Sequence, residues 1–247
     1  MTSIALAPPR NKSPRLGLRL AHLLDPLPTF EAHRPGSAGR GAVERYIAAQ
    51  FETVHGAHIH DFMPLLLTMQ CGDEPSAAAG MRPALAGPLF LERYLPQPVE
   101  SVLSARSGRD VRRDGVVEIG NLVATRKGSN YLLFLVLAAV LRQLDFQWCV
   151  FTATPPVLSV LHRLGVELQV LCAADLGCIR EGDRADWGRY YEQRPLVVAG
   201  EIAPNVDALQ HRLLTAGVLS LFQQPVGALS AAIAAMPFVP PQRDSHA

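Results

Sequence analysis

The chain has 247 residues, 49% hydrophobic and 18% charged, with a formal net charge of +1. Such a length suits one sizeable core, the composition is that of a folded chain, and a near-neutral balance gives no electrostatic footprint for nucleic acid. The longest uninterrupted apolar run, residues 131–141, falls well short of the roughly 20 residues that cross a bilayer as a helix, so no integral membrane segment is expected.

Residues 1–27 carry three prolines before Leu16, scattered basic residues and no sustained period, and read as a loose leader with a short helix near 18–24. His22, Asp25, Pro26 and Pro28 break its apolar stretch and make it a poor signal peptide. A first strand is expected at 29–34. After Pro35, Gly36 and Gly39 comes a helix at 42–54, where Val43, Tyr46, Ile47 and Phe51 recur at helical spacing. Residues 63–70 and 77–82 flank the turn-like stretch CGDEPS and read as an antiparallel hairpin. A short apolar segment follows at 88–95, then a helix at 98–107 closed by Gly108.

The next strand, VVEIGNLVA at 116–124, leads through TRKGSN into an apolar helix opening near Tyr131. A second strand at 146–152 precedes a helix that starts at Pro155 and Pro156 and ends at Gly165, with Val157, Leu158, Leu161 and Leu164 on one face. A closing strand is expected at 166–171, and helical stretches from 204 onward end in a polar tail. Strands first and strand–helix alternation later indicate an α/β domain with a mixed sheet over 28–203 and a C-terminal helical extension over 204–247. The four cysteines, Cys71, Cys149, Cys172 and Cys178, show no C-x-x-C spacing and read as reduced thiols of a cytoplasmic protein.

Several residues stand out chemically. A loop between a strand end and a helix start is a natural anion site, because unpaired N–H groups and the helix dipole both point at it. Arg126, Lys127, Gly128, Ser129 and Asn130 fit either a phosphate or an ordinary solvated turn with a helix cap. Glu118 interrupts apolar strand residues, and alternation puts it with Val116 and Gly120, opposite Val117 and Ile119. Its carboxylate faces either a pocket, where burial would raise its pKa toward that of a base, or solvent.

Glu92, Arg93 and Tyr94 bring three polar groups into the 88–95 segment, with Glu92 and Tyr94 on one face if it is extended. Arg93 suits a substrate carboxylate or, equally, an ion pair with Glu118 or Glu44. Thr152 and Thr154 end a strand beside the loop, and Thr154 is expected to cap the Pro155 helix. Trp187, Tyr190 and Tyr191 either wall a channel or pack the C-terminal segment. His55, His58, His60 and Asp61 match no closed metal pattern and read as a polar loop.

Six blocks, in order, resemble the thermostable hemolysin family: HGAHIHDFMPLLL at 55–67, PLFLERYL at 88–95, VVEIGNLVA at 116–124, VFTAT at 150–154, LHRLGVEL at 161–168 and DWGRYYEQRPLVVAGEI at 186–202. The element order is similar to that of GNAT-like acyltransferases, including the branch that makes acyl-homoserine lactones. The resemblance implies a GNAT-like mixed sheet flanked by helices, and transfer of an acyl group by direct attack of an amine. The donor would be a CoA or acyl-carrier-protein thioester acting as co-substrate, and the acceptor a small molecule such as an amino acid. No permanently bound cofactor and no metal are implied.

On that resemblance Glu118 is base or ammonium anchor, and the backbone of Gly120, Asn121 and Leu122 bulges to contact the oxyanion. Val123, Arg126, Lys127, Gly128, Ser129, Asn130 and Thr152 hold the donor, while Glu92, Arg93, Tyr94, Trp187 and Tyr190 hold the acceptor. Glu118→Gln is expected to cost turnover with little loss of stability. The loop lacks the QxxGxG form of acetyl-CoA enzymes, which leaves CoA, an acyl carrier protein and a bound adenylate open as donors. The family's name implies the alternative of membrane lysis, for which the helices at 204–236 would be the apolar source; a third reading is a GNAT-like module that binds an acyl carrier without catalysis.

Overall fold

The computed structural model describes Leu24, Asp25 and residues 27–235. Leu24 aside, the helix expected near 18–24 lies outside the described residues, as does the tail from 236. One sheet contains β1 (Thr29–His33), β2 (Leu65–Cys71), β3 (Glu74–Pro83), β4 (Val116–Ala124), β5 (Trp148–Ala153), β6 (Gln169–Ala173) and β7 (Leu196–Glu201). The α-helices among the described residues are α1 (Arg40–His55), α2 (Val99–Ser107), α3 (Ser129–Gln143), α4 (Pro155–Leu164), α5 (Ile202–Gln210), α6 (Leu213–Leu221) and α7 (Gln223–Ala234).

The strands lie in the order β1-β2-β3-β4-β5-β7-β6, every neighbouring pair antiparallel except β4 with β5. The sheet is therefore mixed and the domain α/β, as the element order indicates. A parallel pair needs a crossover, which α3 provides. Hairpin β2–β3 turns on Gly72 and Asp73 alone, with Gly72 at φ 70°, so Glu74–Ser76 belong to the strand rather than to a longer turn.

Three expectations need correction. Residues 90–94 form a 3₁₀ turn (Phe90–Tyr94), so strand alternation does not sort Glu92, Arg93 and Tyr94 onto faces. The strand expected at 166–171 begins only at Gln169, and it is an edge: β7, unrecognised in the sequence, inserts between it and β5. Thr154 occupies the N-cap of α4 without a side-chain capping bond, because Pro155 and Pro156 leave the first turn short of N–H donors.

The sheet has two covered faces. On one, Leu65, Leu67, Met81, Val117 and Ile119 pack under α3, with α4–α7 joining the same core through residues such as Leu161, Val206, Phe222 and Ile233. Because α3 lies between the sheet and the C-terminal helices it is apolar on nearly every side, each buried Leu worth roughly 1.5–3 kcal/mol over an exposed one. On the other face α1 covers Leu66, Ala78 and Val123, while α2 and irregular segments cover Val116, Val150 and Val197.

Candidate active site

β4 pairs with β5 only from Val116 to Ile119, opposite Trp148 to Phe151. Beyond that point the strands share no rungs, and a gap opens in the middle of the sheet. On its other edge β4 bulges: between the pairs Ala78↔Val123 and Gly80↔Gly120, one residue of β3 faces two of β4. Asn121 sits in the bulge at φ 47°, a conformation Asn tolerates better than most side chains.

That backbone swings the Asn121 amide toward the segment leading into β2. Its Oδ1 accepts the Met63 N–H at 2.8 Å and its Nδ2 donates to the Asp61 carbonyl at 3.4 Å. Met63 thereby lies over Gly80 and Gly120, where an added Cβ would come within 2.5 Å of it. The glycines in this stretch serve close approach by another segment.

A cavity of about 1050 Å³ occupies the gap and takes walls from both faces. On the α3 side it is mainly apolar, lined by Phe134, Leu137, Ala138 and Leu141 of α3, by Val157, Leu161 and Leu164 of α4, and by Val206 and Leu209 of α5, with Arg163 and Asn205 also on the wall. Cys149 lies in this half, its thiol pushed by burial up to about 12. On the α1 side the cavity is aromatic and charged. Ring contacts run from Phe51 to His55 at 5.7 Å, His55 to Tyr190 at 5.2 Å, Tyr190 to Trp187 at 5.4 Å and Trp187 to Phe90 at 5.4 Å.

Glu118 is 3% exposed and reaches this aromatic half. Its Oε2 accepts the Phe90 N–H at 2.9 Å and its Oε1 the Leu91 N–H at 2.8 Å, so the carboxylate caps the 3₁₀ turn. Burial raises its pKa, and those two hydrogen bonds and Arg82 oppose the rise. Glu92, in contrast, is absent from the cavity wall: it pairs with Arg113 at 2.7 Å and takes the Leu89 and Val99 N–H groups. Arg93 lines the cavity with its guanidinium 3.7 Å from the Phe90 ring centroid and its Nε donating to the Phe90 carbonyl. Neither Glu118 nor Glu44 is its ion-pair partner, Glu44 being held by Arg40. The Tyr94 and Tyr191 hydroxyls hydrogen-bond to each other, and burial pushes both phenols up.

Of the residues singled out in the sequence, Arg93, Tyr94, Glu118, Gly120, Asn121, Leu122, Val123, Asn130, Thr152, Trp187 and Tyr190 line this one cavity. Arg126 and Lys127 are exposed beside it, and Gly128 begins α3 at φ 95°. Ser129 is buried behind the loop, its hydroxyl without a hydrogen-bond partner among the described residues. The Ser129 N–H is taken by Arg126, and those of Tyr131 and Leu132 by Gly128. The N–H of Asn130 has no acceptor among the described residues.

Sequence reasoning passed over Phe51, Arg82 and Phe90 as site residues and read His55 as part of a polar loop. Phe51 and His55 end an amphipathic helix, and only the long-range contact with Tyr190 turns them toward a cavity. Among the described residues no group of three or more His, Cys, Asp or Glu side chains is placed to hold a metal ion. Nor is any described helix long and apolar enough to cross a membrane.

Residues 33–206 match the thermostable hemolysin family. The chain belongs to that family. No match to the curated proteins reaches significance. Among solved structures, FeeM, an N-acyl amino acid synthase from uncultured soil microbes, aligns with a TM-score of 0.52 at 13% identity, over 77% of this chain and 98% of FeeM. BjaI, a CoA-dependent acyl-homoserine lactone synthase solved with SAM and isopentyl-CoA, aligns with a TM-score of 0.51 at 12% identity, over 78% of this chain and 99% of BjaI. This thermostable hemolysin family member therefore has the GNAT-like fold of those synthases, with the split and bulged β4 at its centre.

Proposed function

We propose that the protein is an N-acyltransferase that moves an acyl group from a phosphopantetheine thioester, of CoA or of an acyl carrier protein, to the amine of a small acceptor such as an amino acid. The observation that carries this reading is the continuous cavity between β4 and β5, mainly apolar on one face of the sheet and aromatic and charged on the other. A thioester lying in the gap would meet an amine arriving from the opposite side. Both reactants are held for direct attack, which converts a bimolecular step into an effectively unimolecular one.

The apolar half suits the acyl chain. Phe134, Leu137, Ala138 and Leu141 form one stripe along α3, about 10 Å long at 1.5 Å per residue. The start of α3, with Arg126 and Lys127 beside it and the Asn130 N–H open, suits the donor's phosphates. The bulge at Gly120, Asn121 and Leu122 supplies backbone amides for the oxyanion. Glu118 has a second lone pair on each oxygen for an ammonium, and Arg93 and Arg82 line the same half as partners for an acceptor carboxylate. FeeM's activity as an N-acyl amino acid synthase favours the amino-acid class.

The test incubates purified protein with a panel of acyl-CoA and acyl-carrier-protein donors and pooled amino acids and amines, read by mass spectrometry. Protein-dependent acylated product is expected. Folded protein that yields none with any donor, yet releases dye from liposomes in the absence of thioester, would overturn the reading in favour of lysis.

A further inference from the structure

The apolar half of the cavity continues past the gap in the sheet. The last rung that β4 and β5 share is Ile119↔Phe151, and the cavity wall reaches Cys149, two residues back from it on β5 and under the paired part of the sheet. Two helices run alongside. On α3 the wall is the stripe from Phe134 to Leu141, and on α5 it is Ile202, Asn205, Val206 and Leu209, spaced i, i+3, i+4 and i+7. Each stripe is about 10 Å long.

Two small residues make the room at the far end. Cys149 pairs with Gly200 of β7, so the two share a face of the sheet, and both line the cavity. Cys149 has a strand on either side, yet it is only half-buried, because it faces the hollow. The backbone does not demand a glycine at position 200, whose φ is not positive. A Cβ added there would stand 3.0 Å from Leu168 Cδ2 and 3.6 Å from Asn205 Nδ2, in the space that closes the cavity. A glycine within a strand weakens it, and close approach by a ligand is one reason to keep one.

The polar groups at this end are already committed. Asn205 accepts the Glu167 N–H at 2.7 Å through Oδ1, and its Nδ2 donates to the Glu167 and Glu201 carbonyls at 3.0 and 2.8 Å. Glu201 pairs with the exposed Arg109 at 2.8 Å. Arg163 lies toward the start of α3, its guanidinium 5.6 Å from the Tyr131 ring centroid and its Nε donating to the Ser159 carbonyl. What the far end offers a ligand is hydrocarbon contact.

We propose that the donor carries a straight acyl chain with an apolar end, about 8–12 carbons long at roughly 1.3 Å per carbon–carbon bond, and that Cys149 and Gly200 set its limit. This inference rests on the acyl-transfer reading and deepens it. An acetyl group would leave the end between Leu141 and Gly200 unfilled, whereas a chain of that length buries its last carbons against Cys149, Gly200 and Leu168.

The experiment measures kcat/KM for straight-chain donors from acetyl to stearoyl, on whichever carrier gave product in the screen and with the acceptor found there. In wild type the value is expected to rise about fourfold per added methylene, to peak within the proposed range and to fall beyond it. Gly200→Val and Cys149→Met fill the far end and should each lower the ratio of dodecanoyl to hexanoyl donor by about 10-fold; Leu168→Ala enlarges it and should move the peak to longer chains. Melting curves establish that the variants are folded, and Cys149→Met, with its flexible side chain, carries the test if Gly200→Val does not fold. Product with a flat length profile, or with a peak outside the proposed range, overturns the chain-length inference and leaves acyl transfer standing. Folded variants with the wild-type profile overturn the assignment to Cys149 and Gly200. No product with any donor overturns the acyl-transfer reading, and this inference with it.

Discussion

Asn121 holds Met63: from the bulge of β4 its Oδ1 accepts the Met63 N–H at 2.8 Å, tying the segment before β2 to the middle of the sheet. Asn121→Ala removes that acceptor and puts an alanine at φ 47°. The expected cost is about 1–3 kcal/mol for the unpaired N–H, with about 1 kcal/mol more for the backbone. Asn121→Gly loses the bond but not the backbone tolerance, so it should fall between Ala and wild type in urea denaturation. Equal stability of all three would show that the clamp contributes nothing.

Gly80 and Gly120 both lie under Met63, yet they differ in what a methyl group would strike. At Gly80 it meets Met63 Cβ at 2.5 Å, an atom fixed by the backbone; at Gly120 it meets the mobile Cε end at the same distance. Gly80→Ala should therefore cost about 1–3 kcal/mol, as overpacking does, and Gly120→Ala clearly less. Thermal melts of the two variants side by side check the ranking, and the reverse order would contradict it.

Glu118→Gln should destabilise as well as slow the protein, contrary to the expectation from sequence. A glutamine offers one acceptor oxygen and an NH₂ group where the carboxylate now takes two N–H donors, from Phe90 and Leu91. Leaving one of those buried donors unpaired costs about 1–3 kcal/mol. A melting temperature unchanged from wild type would return Glu118 to a purely chemical role.

Glu118 shows where legibility in the sequence ends. Its face of β4 and the neighbouring bulge follow from alternation and from a glycine within a strand, both local signals, but whether that face is buried stays open in the sequence. Its partners are 27 and 28 residues away in sequence, and no periodicity reports them. The same limit hid β7: LVVAGE is an apolar run like any other, and nothing local says that it enters between β5 and β6. His55 reads from the sequence as part of a polar loop with its histidine neighbours, whereas it ends α1 and its surroundings come from residues 189–193.

The Glu92–Arg113 pair should make stability depend on pH. Burial pushes the Glu92 carboxyl up, but Arg113 and the Leu89 and Val99 N–H groups outweigh it and hold the pKa below the ordinary 4.5. With the folded value depressed, the contribution is fully present above the unfolded pKa and lost as pH falls through the folded one. Glu92→Gln should cost about 1.5–3 kcal/mol at pH 7 and flatten the loss of stability between neutral and acidic pH. Parallel urea curves for mutant and wild type across that range would refute the assignment.

The parting of β4 from β5 leaves main-chain groups in the heart of the sheet without a neighbouring strand to bond. Amide hydrogens of Val116–Ile119 should resist deuterium for as long as the whole fold persists, whereas some between Gly120 and Ala124 should exchange at rates set by water in the gap. A strand usually reports only on folding; this one would carry, within nine residues, both the slowest and some of the fastest labels in the sheet. Bound substrate would then be visible as newly acquired protection there, before any product has formed.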